Sequence, residues 1–245
     1  MNTSVDQAEL QRDYYAATAD RYEALHVSEH DEHGLALAWL SGLAAHHGAR
    51  SVLDIGSGTG RAPLYLRSRQ PGLAVVGVEP SAELRAIGYA AGIAADALVD
   101  GDATRLAYAD ASFDIVCEFG VLHHVEDPRR VVSEMLRVAR IGIFISDDNH
   151  FAAGSPLNRF AKRALDSLGL WKTAYRVRSG GKGYRISAGD GLSYPYSVFD
   201  DLAFVRSRCD LVQTANMDGC GPDLYADAAH VALFGRKRGG PWTQR

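Results

Sequence analysis

The chain has 245 residues, 47% of them hydrophobic, and a formal net charge of −4, enough length to bury a sizeable core. No apolar run approaches the ~20 residues that cross a bilayer, and Met1-Asn2-Thr3-Ser4-Val5-Asp6 lacks a basic-then-apolar leader; a cytoplasmic globular protein is expected. Three scattered cysteines, Cys117, Cys209 and Cys220, indicate neither a disulfide framework nor a zinc site.

In chain order, residues 5 to 28 read as a helix carrying Tyr14, Tyr15 and Tyr22, and a second helical pattern runs from His33 to His47. His46 and His47 close that helix, where exposure and the helix dipole suit a cation. There follows Val52-Leu53-Asp54-Ile55-Gly56-Ser57-Gly58-Thr59-Gly60 and then Arg61-Ala62-Pro63-Leu64: three β-friendly residues, a loop with glycine at every second position, and a helix whose first turn tolerates proline. Such a turn lets a small cofactor lie against bare backbone and unpaired helix N–H groups. The glycine spacing is G-x-G-x-G, not the G-x-x-G ending of a dinucleotide fingerprint. Asp54 would repel a diphosphate but suits a ligand bearing an ammonium and a sulfonium. The turn therefore favours S-adenosylmethionine over NAD.

Leu73 to Val78 is a nearly continuous apolar run, as in a parallel strand buried on both faces, and it ends in Glu79, 19 residues after Gly60. A carboxylate at that strand tip can accept from both ribose hydroxyls. A helix over Ser81 to Ala91, a strand at Ala97 to Val99 and Asp100-Gly101-Asp102-Ala103 come next. A fourth strand, Phe113 to Glu118, opens onto Phe119-Gly120-Val121-Leu122-His123-His124-Val125. Ligands of open parallel sheets lie beyond such carboxyl ends. His123 and His124 cannot share one helical face, so one should point into the site, where a neutral imidazole can act as a base. A helix over Pro128 to Arg140 and a strand over Ile141 to Ser146 lead to Asp147-Asp148-Asn149-His150, a polar wall at another carboxyl end.

Residues 150 to 196 exceed what an open α/β sheet needs. Long loops of this kind are commonly functional. Residues 151 to 199 hold 8 Lys or Arg against 2 Asp or Glu, beside residues 1 to 150 at net −10. The insertion reads as a substrate lid, with Arg178, Lys182 and their basic neighbours facing an anionic acceptor and Tyr184, Tyr194 and Tyr196 as apolar walls; a charged surface used in homo-oligomer contact is the competing reading. A helix over Val198 to Arg208 and strands at Leu211 to Ala215 and His230 to Gly235 close the fold.

The run from Asp54 to Gly60, then Val76-Gly77-Val78-Glu79-Pro80-Ser81, Asp100-Gly101-Asp102-Ala103, and Phe113-Asp114-Ile115-Val116 leading to Val121-Leu122-His123-His124-Val125, resembles the class I S-adenosylmethionine-dependent methyltransferases over about residues 50 to 147. The resemblance implies that the N-terminal segment with Tyr22 lies over the cofactor. It also implies that Asp102 accepts from the adenine amino group while the Ala103 N–H reaches a ring nitrogen. The family often carries the histidine pair without using it as a base. It commonly has a Pro-Gly-Gly turn where this chain has Ala139-Arg140-Ile141-Gly142. An Asp148-Asn149 pair would suit Mg²⁺ as in catechol O-methyltransferase-like enzymes, but those need another carboxylate where Phe119 stands, and no metal is expected.

The expected architecture is an α/β Rossmann-like fold, a mostly parallel seven-stranded sheet with an antiparallel last strand. Residues 1–48 form an N-terminal helical cap, 49–149 the cofactor-binding core, 150–196 the inserted lid and 197–245 the completion of the core. Expected cofactor contacts are Tyr22, Asp54, Gly56, Gly58, Gly60, Glu79, Pro80, Asp102, Ala103 and Phe119; catalytic groups His123, His124 and Asp148; acceptor contacts Tyr15, Asn149, His150, Arg178, Lys182, Tyr184, Tyr194 and Tyr196. The expected reaction moves a methyl group from S-adenosylmethionine, leaving S-adenosylhomocysteine, to an oxygen or nitrogen of a small molecule. The rivals are a nucleic-acid methyltransferase, disfavoured because no base-reading module is recognisable, and a non-catalytic S-adenosylmethionine-binding protein.

Overall fold

A computed structural model describes residues 7–21, 31–218 and 221–240; Tyr22 and Cys220 lie outside the described residues. Helix α1 (Gln7–Thr18) runs into a 3-10 turn (Ala19–Arg21), and α2 (Glu32–His46) precedes the sheet. The core alternates β1 (Ser51–Ile55), α3 (Arg61–Arg69), β2 (Ala74–Val78), α4 (Ala82–Ala90), β3 (Leu98–Val99), β4 (Phe113–Phe119), α5 (Pro128–Val138) and β5 (Ala139–Asp148). The insertion is α6 (Pro156–Ser167), α7 (Trp171–Arg178) and a hairpin, β6 (Arg185–Ser187) with β7 (Gly191–Ser193). Helix α8 (Val198–Arg208), β8 (Cys209–Asn216), the short α9 (Leu224–Asp227) and β9 (His230–Lys237) finish the fold.

The seven-stranded sheet has the order β3-β2-β1-β4-β5-β9-β8. Strands β1 to β5 pair in parallel, and β9 runs antiparallel to both β5 and β8. Side-chain alternation sorts its residues to two cores. Leu53, Ile55, Val116, Ile143 and Ile145 pack with Val131, Met135 and Val205 on one face. Val52, Ile115, Cys117 and Phe144 pack with Leu40, Leu66 and Phe234 on the other. A sheet covered on both faces explains the near-continuous apolar strands.

Side-chain caps fix several helix starts. Ser81 caps α4, Asp127 caps α5, and Ser197 with Asp200 forms a capping box on α8. Asp31 caps α2 through Gly34 N and also receives both Arg61 guanidinium nitrogens at 2.7 Å, tying α2 to the start of α3. Two expectations are corrected. The Ala139–Gly142 segment is no turn, because Ala139 leaves α5 with extended backbone (φ −71°, ψ 137°) and begins β5 directly. His47 is buried and stacked on Phe234 at 5.2 Å, which lowers its pKa by burial. Among the described residues no helix is long and apolar enough to cross a membrane.

Candidate active site

The glycine turn after β1 places Gly56, Gly58 and Gly60 at φ values of 65°, 56° and 88°, left-handed conformations that cost glycine little. A Cβ at Gly56 would collide with Val121 Cγ2 and one at Gly60 with Ile93 Cδ1, so the turn sits tight against its neighbours. Gly56 and Gly58 present bare backbone to a cavity of about 1170 Å³; Gly60, at the N-cap of α3, is not among its lining residues and instead lets Ile93 approach.

Asp54 also stands behind the turn. It is 2% exposed, accepts from Ser57 Oγ at 2.6 Å and touches Cys117 Sγ at 3.6 Å. Burial pushes its carboxyl up to about 7. Asp54 therefore braces the loop that meets the ligand, a correction to the expectation that its charge faces an ammonium or sulfonium.

Glu79, at the tip of β2, does face the cavity, and each of its oxygens is already aimed by backbone: Oε2 accepts from Gly58 N at 2.9 Å and Oε1 from Ser81 N at 2.8 Å. Burial raises its pKa, and these two bonds oppose the rise. Asp102 is exposed, fixed by Thr104 N and Oγ1 at 2.8 Å, while Asp100 is engaged by Arg85 at 3.0 Å. Pro80, Ala103, Phe119 and the apolar Val78 and Leu84 complete this end. The set fits S-adenosylmethionine: bare backbone for a close approach, an aimed carboxylate for a diol, a second exposed carboxylate for an amine, and apolar walls for a base.

The other end is built by α1, the turn after β4 and the insertion. Tyr15, His124 and Tyr194 line it. His124 Nδ1 lies 2.6 Å from the Leu192 carbonyl, so Nδ1 carries the proton and donates; Nε2 accepts from the Tyr15 hydroxyl at 2.9 Å. Burial, then the neighbouring His123 cation, lower His124 to about 4. Gln11 ties α1 to the insertion, Oε1 accepting from Leu192 N at 2.6 Å and Nε2 donating to the Asp190 carbonyl at 3.3 Å.

His123 turns the other way. Its Nδ1 donates to Asp147 Oδ1 at 2.7 Å, and Asp147 also accepts from Leu122 N at 2.7 Å and Asp148 N at 2.6 Å. Burial alone would lower His123, but Asp147 holds it well above its ordinary value. Asp147 is itself held below the carboxylate range: burial opposes this, and the His123 charge and hydrogen bond overcome it. Glu118, fully buried, accepts from Val121 N and Ser146 N and so shapes the same turn.

Several expected acceptor contacts face elsewhere. Asn149 is fully buried: its Nδ2 donates to the Leu224, Tyr225 and Ala228 carbonyls and its Oδ1 accepts from Phe151 N and Ser197 Oγ, which exhausts the amide. Tyr196 is 3% exposed, its hydroxyl donating to Asp201. His150 stacks on Trp171 at 5.1 Å and donates from Nδ1 to the Tyr196 carbonyl. Arg178 and Lys182 are exposed, and neither they nor Tyr184 is among the cavity's lining residues; Tyr184 packs on Tyr194 at 6.0 Å instead. Asp148 is half exposed, 3.9 Å from His230 Nδ1 and also outside the lining. On sequence alone Gln11 and Asp190 have no role, and Asp147 only a place in the polar wall. A glutamine on a helix and an aspartate between glycines carry no signal of their own, although Asp147, one place before Asp148 on the same strand, would point to the opposite face.

The profile of the family described as "Methyltransferase domain" matches residues 53–145, which run from within β1 into β5 and include Gly56, Gly58, Glu79, Asp102 and Ala103 of the cavity lining. Over those residues the chain carries a methyltransferase domain. The methyltransferase domain has relatives among uncharacterized methyltransferases of Mycobacterium. That of strain KMS is 35% identical over 129 residues, 53% of this chain and 46% of the relative. That of Mycobacterium leprae strain TN is 36% identical over 173 residues, 69% and 62%. A demethylmenaquinone methyltransferase of Deinococcus radiodurans is 31% identical over 144 residues, 56% and 58%. The chain spans about half the length of the curated relatives it matches. Magnesium protoporphyrin IX methyltransferase from Synechocystis with bound S-adenosylhomocysteine shares the fold at a TM-score of 0.59 and 17% identity, covering 94% of this chain and 99% of that one. A Thermotoga maritima methyltransferase described as a possible histamine N-methyltransferase does so at 0.56 and 19%, covering 92% and 99%.

Proposed function

We propose that the chain transfers the methyl group of S-adenosylmethionine to an oxygen or nitrogen of a small molecule. The observation that carries this is one continuous cavity with Gly56, Gly58, Glu79, Asp102 and Ala103 at one end and Tyr15, His124 and Tyr194 at the other. S-adenosylmethionine, when bound, supplies a methyl group on a sulfonium, so the protein's work is to align the acceptor and remove its proton. Glu79, Asp102, Pro80 and Ala103 hold the cofactor, and the glycine turn, braced by Asp54, sets its depth. Phe119 walls the cofactor and Tyr194 the acceptor. The acceptor proton passes to the Tyr15 oxygen as the Tyr15 proton passes to His124 Nε2, along the 2.9 Å hydrogen bond already in place.

Demethylmenaquinone and norajmaline, named for two relatives, support a small-molecule acceptor. The cavity is also lined by Asp100, Asp102, Glu126 and Asp127, which disfavours a polyanionic nucleic acid. An anionic group on the acceptor would meet Arg12 or Arg130, the cations of the lining. Contact between copies of the chain would use the insertion, where α6 and the residue after it expose Leu157, Phe160 and Leu168.

Calorimetry with S-adenosylhomocysteine, joined to a mass-spectrometric search for products 14 mass units heavier across a metabolite panel, tests the proposal. Saturable binding with one methylated product class supports it, and no binding of S-adenosylhomocysteine ends it.

A further inference from the structure

Helix α6 packs with its polar side inward. Leu157, Phe160, Ala161, Ala164 and Leu168 recur at helical spacing, which puts them on one stripe. Such a stripe normally faces a core, but here Leu157 is 76% exposed, Phe160 65% and Leu168, at the C-cap, 69%, and neither α6 nor α7 holds a buried residue. Polar contacts from the other side hold the helix to the body. Lys162 Nζ donates to the His150 and Ala153 carbonyls, Arg163 donates to the Ala226 carbonyl at 3.0 Å, and Asp166 accepts from the Tyr225 hydroxyl at 2.7 Å. Rolling the helix over would break those bonds, so the outward stripe is built in. Leu170, Val177 and Ile186 are exposed too, and six of the nine exposed large hydrophobics among the described residues thus belong to the insertion.

We propose that the insertion docks the protein on the surface of an anionic lipid bilayer, with the α6 stripe set into the headgroup layer. An apolar ridge accompanied by cations is what that interface takes from a helix lying in its plane. Arg176, Arg178, Lys182 and Arg185 are exposed, and residues 151 to 199 hold 8 Lys or Arg against 2 Asp or Glu. Charges act over a Debye length of about 8 Å at physiological salt, so these cations need not share the stripe to draw it to anionic headgroups. The body, at net −10 over residues 1 to 150, is repelled by the same surface, and the molecule approaches insertion first. A second copy is the weaker occupant, because a two-fold pairing on the stripe sets two basic insertions against each other. Among the described residues no helix can cross a bilayer, so the protein lies on the surface. The insertion also carries Tyr194 to the cavity wall, which puts the docking surface and the acceptor end on one segment. Docking does not depend on the methyl-transfer reading.

Flotation of the full chain with vesicles of equal parts phosphatidylglycerol and phosphatidylcholine, beside vesicles of phosphatidylcholine alone, tests the proposal. Binding to the anionic vesicles is expected, and it should fall with added salt. Phe160→Ser, and Arg178→Ser joined to Lys182→Ser, should each weaken it about tenfold or more. Thermal melts check that each variant folds, with Leu157→Ser in place of Phe160→Ser if that one does not, and calorimetry with S-adenosylhomocysteine reports the methyltransferase reading separately. No flotation by the wild-type chain overturns the docking surface, as does equal binding to both vesicles or binding that the variants keep. Light scattering that shows a lipid-free dimer lost in Phe160→Ser also overturns it, since the stripe then belongs to a second copy.

Discussion

The Tyr15 hydroxyl stands 2.9 Å from His124 Nε2, a helix-borne phenol joined to an imidazole more than a hundred residues later. Removing the hydroxyl keeps the ring and its edge-on packing against His124 at 5.8 Å but breaks the proton path. Tyr15→Phe should lower kcat by ~10²-fold with little change in S-adenosylhomocysteine affinity. Wild-type turnover in that variant would remove the pair from proton transfer.

Glu79 should matter for cofactor binding. Glu79→Ala removes charge-assisted acceptors worth ~1–3 kcal/mol and also frees Gly58 N and Ser81 N, so the turn loosens with it. Calorimetry on Glu79→Gln, which keeps the shape, separates the two effects. An affinity for S-adenosylhomocysteine unchanged in both variants would take Glu79 out of the site.

Acid stability should depend on Asp114 at the entry to β4. Its carboxylate accepts from Arg50 N at 2.8 Å, Ser51 N at 3.1 Å and the Arg140 guanidinium. Burial would raise its pKa, but these partners win and hold it below the ordinary value. The stabilisation is then complete above the unfolded carboxyl pKa and is lost as pH falls through the depressed folded one. Asp114→Asn should cost ~1–3 kcal/mol near neutrality, with the gap to wild type closing in acid. Denaturant melts across that range decide the matter, and a gap constant with pH would contradict it.

Gly56→Ala should be costly for two reasons that add. The residue sits at φ 65°, where an L side chain pays ~1–2 kcal/mol, and its Cβ would press into Val121. Thermal melts should show a loss of several degrees and calorimetry a weakened cofactor site. Wild-type melting and binding would mean that the turn relaxes freely.

The sheet and the cofactor end were legible because strand burial, glycine spacing and a carboxylate at a strand tip are local signals. The acceptor end was not. Four consecutive polar residues, Asp147 to His150, read as one wall, yet a strand sends neighbours to opposite faces, and Asn149 went inward to hold three carbonyls. The insertion's positive charge read as a trap for anions. Lys162 instead donates to the His150 and Ala153 carbonyls and Arg163 to that of Ala226, so part of that charge serves the backbone. Asp190 gains meaning only because the β6–β7 hairpin delivers it to two histidines.

Gln11 carries a further consequence, one of timing. Its partners, Asp190 and Leu192, lie 179 and 181 residues away, and Tyr14 donates to the Ala188 carbonyl across 174. Helix α1 thus leaves the ribosome well before the hairpin it needs, and joining ends so far apart costs somewhat more closure entropy than the shorter-range pairings within the sheet. The α1 cap should be the last part to assemble, and in a refolding experiment S-adenosylhomocysteine binding should return before the fluorescence of Tyr14 and Tyr15 settles.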